Sequence, residues 1–473
     1  MKNLKTIIGL AAMALCLGFA SCSSDDDAPS YSTAAVNNSE LMTILKDKGY
    51  QFNEQGNLLL DDKATSTTSL DLSGTKIDTA TLKQLSIFPN LKDLNLSNNG
   101  YGETFDFSVL PSQISGIDLT NNDIYNYDNL VKVTVEENGD EIVQNLRDVT
   151  KLYLPEEAKN NIAQLVRFYR QNKDAIEGSK LDMKMQNANG TLEKYNTLRE
   201  IPDATLRTYL NQETTFSELF EGEKIDISKK LSNSEKINNI YVNQYFVDNF
   251  ENLQNLDGLQ YIINNPDWEG TTIYISPKTT LSMPKVELGT TLTLLQLENV
   301  NVSNGLDMSN ATKLFNINLN GVSGISVLDL RTNTTWGQRG SSIEEEGMNG
   351  SALYCVDCPN LEEIYLPTNN SLCMKELDFE MLPKLKVFDM SNIQMIVNLT
   401  IGDLPEDFNL VYPNLTKFSS AYGKTSFACS KQTYSLNSTI EFVNKYYKGG
   451  TEKKLSPSVN MKSSKNKAAF WFI

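Results

Sequence analysis

The sequence of 473 residues contains no histidine and only three tryptophans. The absence of histidine excludes Ser-His-Asp catalytic triads and metal sites that use imidazole ligands. The chain also lacks the G-x-S-x-G nucleophile motif, the phosphate-binding P-loop and the EF-hand calcium loop. With 59 acidic residues, carboxylates occur close together in many segments, so their pairing does not indicate a glycosidase site. We therefore expect a protein that is not an enzyme and that uses no cofactor and no metal.

Basic residues are fewer than acidic residues, 42 against 59, and the formal net charge is −17. Proteins that bind nucleic acid contact its phosphates through clustered Lys and Arg. The charge balance therefore argues against a nucleic-acid partner.

The N-terminal apolar run, residues 6–20, is too short to cross a bilayer as a permanent anchor. It follows Lys2 and Lys5 and ends in the tetrapeptide Phe-Ala-Ser-Cys, which resembles the lipobox of bacterial lipoproteins except that Phe19 replaces the usual Leu. That resemblance implies a signal peptide at 1–21, a lipidated Cys22 and a flexible tether at 22–40. The acidic run after Cys22 resembles the surface-export signal of lipoproteins from Bacteroides-like bacteria. The alternative is a secretory leader with an incidental cysteine and a solvated acidic linker.

Apolar-x-apolar doublets recur every eleven residues through much of the second half of the chain. Fixed-period repetition predicts a solenoid, in which stacked units bury a continuous core. The doublets begin at Ile273, Leu295, Leu306, Ile317 and Leu328, then at Leu353 and Ile364, and again at Leu377, Phe388, Leu399 and Leu410. The period breaks twice, between Leu328 and Leu353 and between Ile364 and Leu377. We interpret residues 334–350 as an inserted loop, and each step of eleven as half a coil.

An earlier group of doublets has the longer spacing of 23–24 residues. Its segment LKDLNLSNN, residues 91–99, fits the pattern L-x-x-L-x-L-x-x-N, and ISGIDLTNN, residues 114–122, fits with Ile for Leu. The terminal Asn is expected to turn the chain and to satisfy backbone groups buried between coils. We predict a first repeat block at 41–155, a helical connector or cap at 156–200, a second block at 201–422 and a C-terminal cap at 423–473. Residues 156–172 are expected to form an amphipathic helix, and Asn138-Gly139 a hairpin turn.

These motifs resemble those of Bacteroides-type leucine-rich-repeat surface lipoproteins. The segment SALYCVDCPNLEEIYLP, residues 351–367, is similar to the C-x-x-L-x-x-I-x-L-P repeat of BspA-like proteins, and residues 201–210 with 255–261 resemble the module that precedes their coils. The resemblance implies an α/β leucine-rich-repeat solenoid with a curved parallel β-sheet, in two repeat blocks with helical and short-strand connections. It implies lipid anchoring in the outer membrane and display at the cell surface.

The middle residue of each doublet is expected to point outward, because a strand alternates its faces. Such residues could hydrogen-bond a peptide or glycan while tyrosine rings stack on it. The candidate ligand-facing residues are Tyr274, Gln296, Asn318, Tyr354 and Asp378 in one phase, Asp329, Tyr365 and Asp389 in the alternate phase, and Asn95 and Asp118 in the first block. The alternative is a solvated strand face whose Asp and Asn side chains make turn bonds. The sequence leaves open which phase is concave.

Two smaller motifs have competing interpretations. Cys355 and Cys358 form a C-x-x-C motif that suggests a redox pair or half a zinc site, but the repeat places both at inward positions and favours buried structural cysteines. Asp78-Thr79-Ala80 resembles an O-glycosylation site of Bacteroides-like bacteria, with Thr79 as acceptor.

Two functions remain open at this point. The first is a surface lipoprotein that binds an extracellular protein or glycan through its repeat face and contacts the membrane only through its lipid anchor. The second is a structural or assembly protein of the cell envelope, for which we expect an exposed apolar patch. An enzyme is a distant third.

Overall fold

A computed structural model describes residues 31–137, 141–156, 160–212, 215–232, 239–338, 350–368, 371–405, 408–416 and 426–446. The predicted leader, Cys22, the Asn138-Gly139 turn, most of the predicted inserted loop (339–349) and the end of the chain lie outside these ranges.

The smaller of two compact units has its described part in residues 31–67 and 87–90. Its strands β1 and β2 pair antiparallel. The elements are β1 (Thr33–Ala34), α1 (Ser39–Asp47), β2 (Leu58–Leu59) and α2 (Asp62–Ser66). Asn38 caps α1 by accepting a hydrogen bond from the backbone N–H of Leu41 at 2.8 Å, so Ser39, the expected cap, is instead the first helical residue.

The larger unit, residues 68–86 and 91–473, contains three sheets dominated by parallel strands. Sheet A has six strands in the order β12-β11-β10-β6-β4-β3, and all neighbours except β11 and β12 run parallel. These strands are β3 (Ser69–Asp71), β4 (Asp93–Asn95), β6 (Gly116–Asp118), β10 (Lys151–Glu156), β11 (Asp182–Gln186) and β12 (Leu192–Lys194).

Sheets B and C carry the eleven-residue period. Sheet B consists of β16 (Ile240–Val242), β17 (Thr272–Ile275), β20 (Leu294–Glu298), β23 (Asn316–Asn320), β25 (Ser351–Val356), β27 (Leu372–Glu380), β29 (Ile393–Ile401) and β31 (Ser426–Cys429), all parallel and in this order. Sheet C consists of β24 (Val327–Asp329), β26 (Glu363–Tyr365), β28 (Val387–Asp389) and β30 (Asn409–Val411), also parallel.

Successive doublets alternate between the two sides of one core. Ile317 lies in sheet B and Leu328 in sheet C, and both are fully buried in the same apolar cluster as Leu377 and Phe388. Strands of sheet B pair in register across 22 residues, as in Ile273 with Leu295. The structure therefore confirms that eleven residues carry the chain from one sheet to the other and that two such steps return it.

Shorter strands and helices connect these sheets. Strands β5 and β7 run parallel to each other, as do β18 and β21, and β19 and β22, whereas β8 and β9 form an antiparallel hairpin and β13, β15 and β14 a small antiparallel sheet. Their bounds are β5 (Gly102–Asp106), β7 (Asp123–Asp128), β8 (Val131–Val135), β9 (Glu141–Asn145), β13 (Leu198–Arg199), β14 (Phe220–Glu221), β15 (Lys224–Asp226), β18 (Leu281–Ser282), β19 (Val286–Glu287), β21 (Val300–Asn301) and β22 (Leu306–Asp307). The helices are α3 (Ile162–Glu177), α4 (Ala204–Asn211), α5 (Gln260–Ile263), α6 (Lys431–Tyr434) and α7 (Asn437–Tyr446), with 3₁₀ helices at Thr79–Ile87, Phe107–Val109, Thr215–Leu219 and Phe250–Asn252.

The predicted connector is only partly helical. Helix α3 buries Ile162, Leu165 and Val166, as the amphipathic pattern predicts. It begins later than expected because residues up to Glu156 continue strand β10. Strands β11 and β12 then add to sheet A, so this sheet extends beyond the predicted end of the first block.

A ladder of side chains satisfies the backbone between successive strands of the first block. The Asn99 amide nitrogen donates to the carbonyl oxygens of Leu72 at 3.0 Å and Leu96 at 2.8 Å. Asn122 repeats the arrangement with Leu96 and Leu119. The predicted role of the motif's terminal Asn is therefore confirmed at both positions.

Cys358 occupies the corresponding place in the second block. Its thiol donates to the carbonyl oxygens of Leu319 and Val356, each at 3.5 Å, and the side chain is fully buried. Burial raises the pKa of the Cys358 thiol to about 12 and that of Cys355 well above its usual value. Both are buried free thiols, as the repeat register predicts, and a thiol with a raised pKa is a poor redox nucleophile.

Candidate functional site

Sheet B brings five of the predicted ligand-facing residues into one row. Its strands pair so that Tyr274 lies beside Gln296, Gln296 beside Asn318, Asn318 beside Tyr354 and Tyr354 beside Asp378. We call these five residues the sheet B row. Neighbouring strands lie about 5 Å apart, so the row extends roughly 20 Å across the sheet.

The other five candidates lie elsewhere. Asn95 and Asp118 are neighbours in sheet A, and Asp329 and Tyr365 are neighbours in sheet C. Asp389 occupies the middle position of β28, also in sheet C. The ten predicted residues therefore do not form one surface.

Four of these five outlying candidates make turn bonds just beyond their own strands. The side-chain oxygen of Asn95 accepts from the backbone N–H of Ser97 at 3.0 Å, and Asp118 accepts from Thr120 at 3.0 Å. In sheet C, Asp389 accepts from Ser391 at 2.8 Å. Such bonds stabilise the turn that follows a strand. At these positions the structure favours the structural interpretation over the ligand-binding one.

Asp329 makes the same bond with the backbone N–H of Arg331 at 3.0 Å and also an ion pair with its guanidinium at 2.5 Å. That guanidinium lies over the ring of Tyr365, 4.5 Å from the ring centroid. The hydroxyl of Tyr365 donates to the carboxylate of Glu363, which raises the Tyr365 pKa. These side chains therefore have partners within sheet C itself.

The sheet B row differs because its residues lie inside longer strands. The residue two positions after Gln296 is Glu298, which still belongs to β20, so its backbone N–H is not at a turn. The Gln296 amide instead donates to Glu298 at 2.6 Å, and the Ser276 hydroxyl donates to the same carboxylate at 2.7 Å. Polar side chains here bond one another across the face of the sheet.

One end of this face is acidic. The Tyr354 hydroxyl donates to Glu376 at 2.8 Å. Burial, together with the charges of Glu376 and Asp378, raises the Tyr354 pKa, so its hydroxyl remains a neutral donor at physiological pH. Glu380 continues the same alternating side of β27.

The other end is aromatic, and most of it is missing from the sequence prediction. Tyr241 in β16 lies beside Tyr274 and stacks on Phe246, with ring centroids 4.7 Å apart and planes inclined by 21°. Tyr245 is 72% exposed and Phe246 57% exposed. We call Tyr241, Tyr245, Phe246 and Tyr274 the aromatic end. The first three escaped prediction because β16 precedes its partner strand by 33 residues, outside the eleven-residue period.

Thr79 is the first residue of a 3₁₀ helix and is partly exposed. The Asp78 carboxylate accepts from the backbone N–H of Thr81 at 3.1 Å, so this acid has a capping role at the helix start. The geometry gives no indication of modification at Thr79, which remains a prediction.

In a scan against protein-family models no family matches this chain, and no curated protein matches it. None of the helices in the described ranges has the length and apolar character needed to cross a membrane. Within those ranges, no three Cys, Asp or Glu side chains converge on a point where a metal ion could be held.

Proposed function

We propose that this protein is a non-enzymatic, cell-surface leucine-rich-repeat lipoprotein that binds an extracellular protein or glycan. The proposal includes a solenoid fold of the Bacteroides-type, BspA-like kind. It is supported by the alternation of doublets between sheets B and C and by the Asn99 and Asn122 ladder, because a leucine-rich repeat uses Asn in this way.

The face of sheet B that carries its row is the proposed ligand surface. The observation that carries this proposal is the in-register row from Tyr274 to Asp378, extended by the exposed rings of Tyr245 and Phe246. Exposed aromatic rings beside amides and carboxylates can stack on a ligand and hydrogen-bond it at the same time. The turn bonds of sheets A and C give no comparable reason to assign a ligand there.

The test compares two pairs of exposed side chains. The full chain is screened against arrays of glycans and of immobilised extracellular proteins, and the strongest ligand is titrated against variants. Tyr245→Ala with Phe246→Ala is expected to weaken binding about tenfold or more, equivalent to about 1.4 kcal/mol. The matched control is Val327→Ala with Val387→Ala, two exposed apolar residues on sheet C. If the control pair weakens binding and the aromatic pair does not, sheet B is not the ligand surface.

The proposed anchor is a lipid on Cys22, which would hold the protein at the outer membrane without a membrane-spanning segment. Labelling of growing cells with a palmitate analogue should mark the protein and should be lost in Cys22→Ala. Cys16→Ala is the control, because Cys16 lies in the same leader and would be removed with it. Protease treatment of intact cells then measures surface display. Labelling that persists in Cys22→Ala would contradict the lipobox assignment.

A further inference from the structure

A cleft of about 1360 Å³ lies beside helix α3, away from the sheet B row. One wall comes from β7, the β8–β9 hairpin and α3, and the other from the segment after α5 and from β19 and β22. Small-molecule sites usually enclose roughly 300–1,000 Å³, so this cleft has room for a ligand of more than one ring.

Side-chain amides and one buried carboxylate organise the inner part of the cleft. Glu287 accepts hydrogen bonds from the amide nitrogens of Asn161, at 3.1 Å, and Asn310. Its backbone N–H donates to the Asn264 side chain at 3.0 Å. Burial raises the pKa of Glu287, and the charges of Asp307 and Asp128 raise it further. A carboxylate held in this unfavourable setting is typical of binding and catalytic sites.

Asn265 lines the same cleft and has an unsatisfied donor. The side chain is only 4% exposed, and its oxygen accepts from the backbone N–H of Asp267 at 2.9 Å. Its amide nitrogen has no hydrogen-bond partner anywhere in the described part of the chain. Leaving such a group unpaired costs about 1–3 kcal/mol, which a ligand acceptor would recover.

The charges of the cleft favour a neutral ligand. Its two arginines are paired, Arg167 with Glu141 at 2.6 Å and Arg170 with Asp267 at 2.8 Å. They would repel a cationic ligand, whereas the carboxylates of Glu287, Asp307 and Asp128 would repel an anionic one. What remains attractive is a ligand that donates and accepts many hydrogen bonds without net charge. The donor and acceptor groups of the lining come from Asn126, Asn161, Gln164, Gln171, Asn264, Asn265 and Asn310 together with the acids.

We propose that this cleft binds a segment of a neutral glycan, whose hydroxyls donate to the carboxylates and accept from the amides. The site is separate from the sheet B row and does not depend on it.

Gly289 permits a test by occlusion. It lines the cleft, and a Cβ added there meets no atom within 4 Å, so a larger side chain can enter the open space without a clash. Gly102 offers the matched control, because a Cβ added there also meets nothing within 4 Å and the residue does not line the cleft. Gly289→Phe and Gly102→Phe are prepared in the full chain, and thermal unfolding confirms that both fold.

Each protein is titrated calorimetrically with neutral hexasaccharides of glucose, mannose, xylose and N-acetylglucosamine, with hexagalacturonate as the anionic probe and hexalysine as the cationic probe. At least one neutral hexasaccharide should bind with a Kd below about 1 mM. Gly289→Phe should weaken that binding at least tenfold, Asn265→Ala should weaken it less, and Gly102→Phe should leave it unchanged.

Three results would overturn the proposal. They are the absence of binding by every neutral probe, equal binding by Gly289→Phe and the unaltered protein, and binding by hexagalacturonate or hexalysine alone. The double variant Tyr245→Ala with Phe246→Ala separates this site from the sheet B surface, since it should not change binding in the cleft.

Discussion

Sheets B and C face each other across one core and are built from the same apolar doublets, but their strands differ in length. Every strand of sheet C has three residues, whereas β20 and β23 in sheet B have five and β27 and β29 have nine. In a strand of three residues, the backbone N–H two positions after the middle residue lies at the following turn. An Asp or Asn in the middle position can therefore bond that N–H, as Asp389 does.

The same position has a different role in sheet B. There the next backbone groups belong to the sheet ladder, so the middle side chain remains on the face beside its neighbours from adjacent strands. Strand length, and not the identity of the middle residue, separates structural Asp and Asn from candidate ligand contacts. Strands β3, β4 and β6 of sheet A follow sheet C in this respect.

The largest expected effect compares the ladder positions of the two repeat blocks. Asn99→Ala removes donors to Leu72 and Leu96 and an acceptor for the backbone N–H of Lys76. Leaving these buried groups unpaired should lower the free energy of unfolding by about 2–4 kcal/mol. Cys358→Ala should cost less, about 1 kcal/mol, because a thiol is a weak donor. Urea unfolding measures both values. Equal losses would mean that Asn and Cys are equivalent in this ladder.

The second prediction concerns tyrosines on the two sheets. Tyr274→Ala should weaken binding of the ligand found on the arrays about tenfold, because Tyr274 joins the row to the aromatic end. Tyr365→Ala should leave binding unchanged, because its ring and hydroxyl contact Arg331 and Glu363. Titration of both variants measures the difference. A loss at Tyr365 with none at Tyr274 would reverse the assignment of the ligand surface.

The third prediction compares stabilities. Asp118→Ala removes the side chain that accepts from both the backbone N–H and the hydroxyl of Thr120, so it should lower the free energy of unfolding by about 1 kcal/mol. Asn318→Ala in sheet B should change it by less than about 0.5 kcal/mol, as partly exposed positions without a turn bond usually do. Urea unfolding decides the matter, and a larger cost at Asn318 would show that strand length is not the distinguishing property.

The smallest effect is a difference in the sign of pH dependence. The hydrogen bonds and charge of Arg331 lower the pKa of Asp329 below its usual 3.8. The stabilisation by Asp329 is therefore present above pH 3.8 and is lost as the pH falls through the folded-state pKa. Burial raises the pKa of Glu287 above its usual 4.5, so its cost to stability appears as the pH rises above 4.5.

Asp329→Asn should consequently lower the melting temperature at pH 7 and have little effect at the lowest pH at which the protein remains folded. Glu287→Gln should raise the melting temperature at pH 7, and this gain should shrink as the pH falls. Melting curves across this range measure both trends. The same sign for both variants would contradict the contrast between a turn carboxylate and a buried one.

Much of the internal pattern could be predicted from the residues. Leu295, Ile317 and Leu377 occupy inward positions because a strand alternates its faces, and this alternation is a local property of the backbone. The aromatic end was missed because β16 joins the sheet through pairing with residues 33 positions away. The cleft was missed for a similar reason, since Asn161 and Glu287 are 126 residues apart and neither belongs to a repeated motif.

The sequence alone determined the eleven-residue alternation, the buried doublets and the ladder positions Asn99, Asn122 and Cys358. All of these follow from local strand geometry and from the need to pair backbone groups between neighbouring segments. Only the tertiary structure decided that Tyr274 and Asp378 share a sheet while Tyr365 lies on another. It also decided which middle residues make turn bonds. Both properties depend on where each strand ends and which strand lies beside it, and these are set by packing across the whole core.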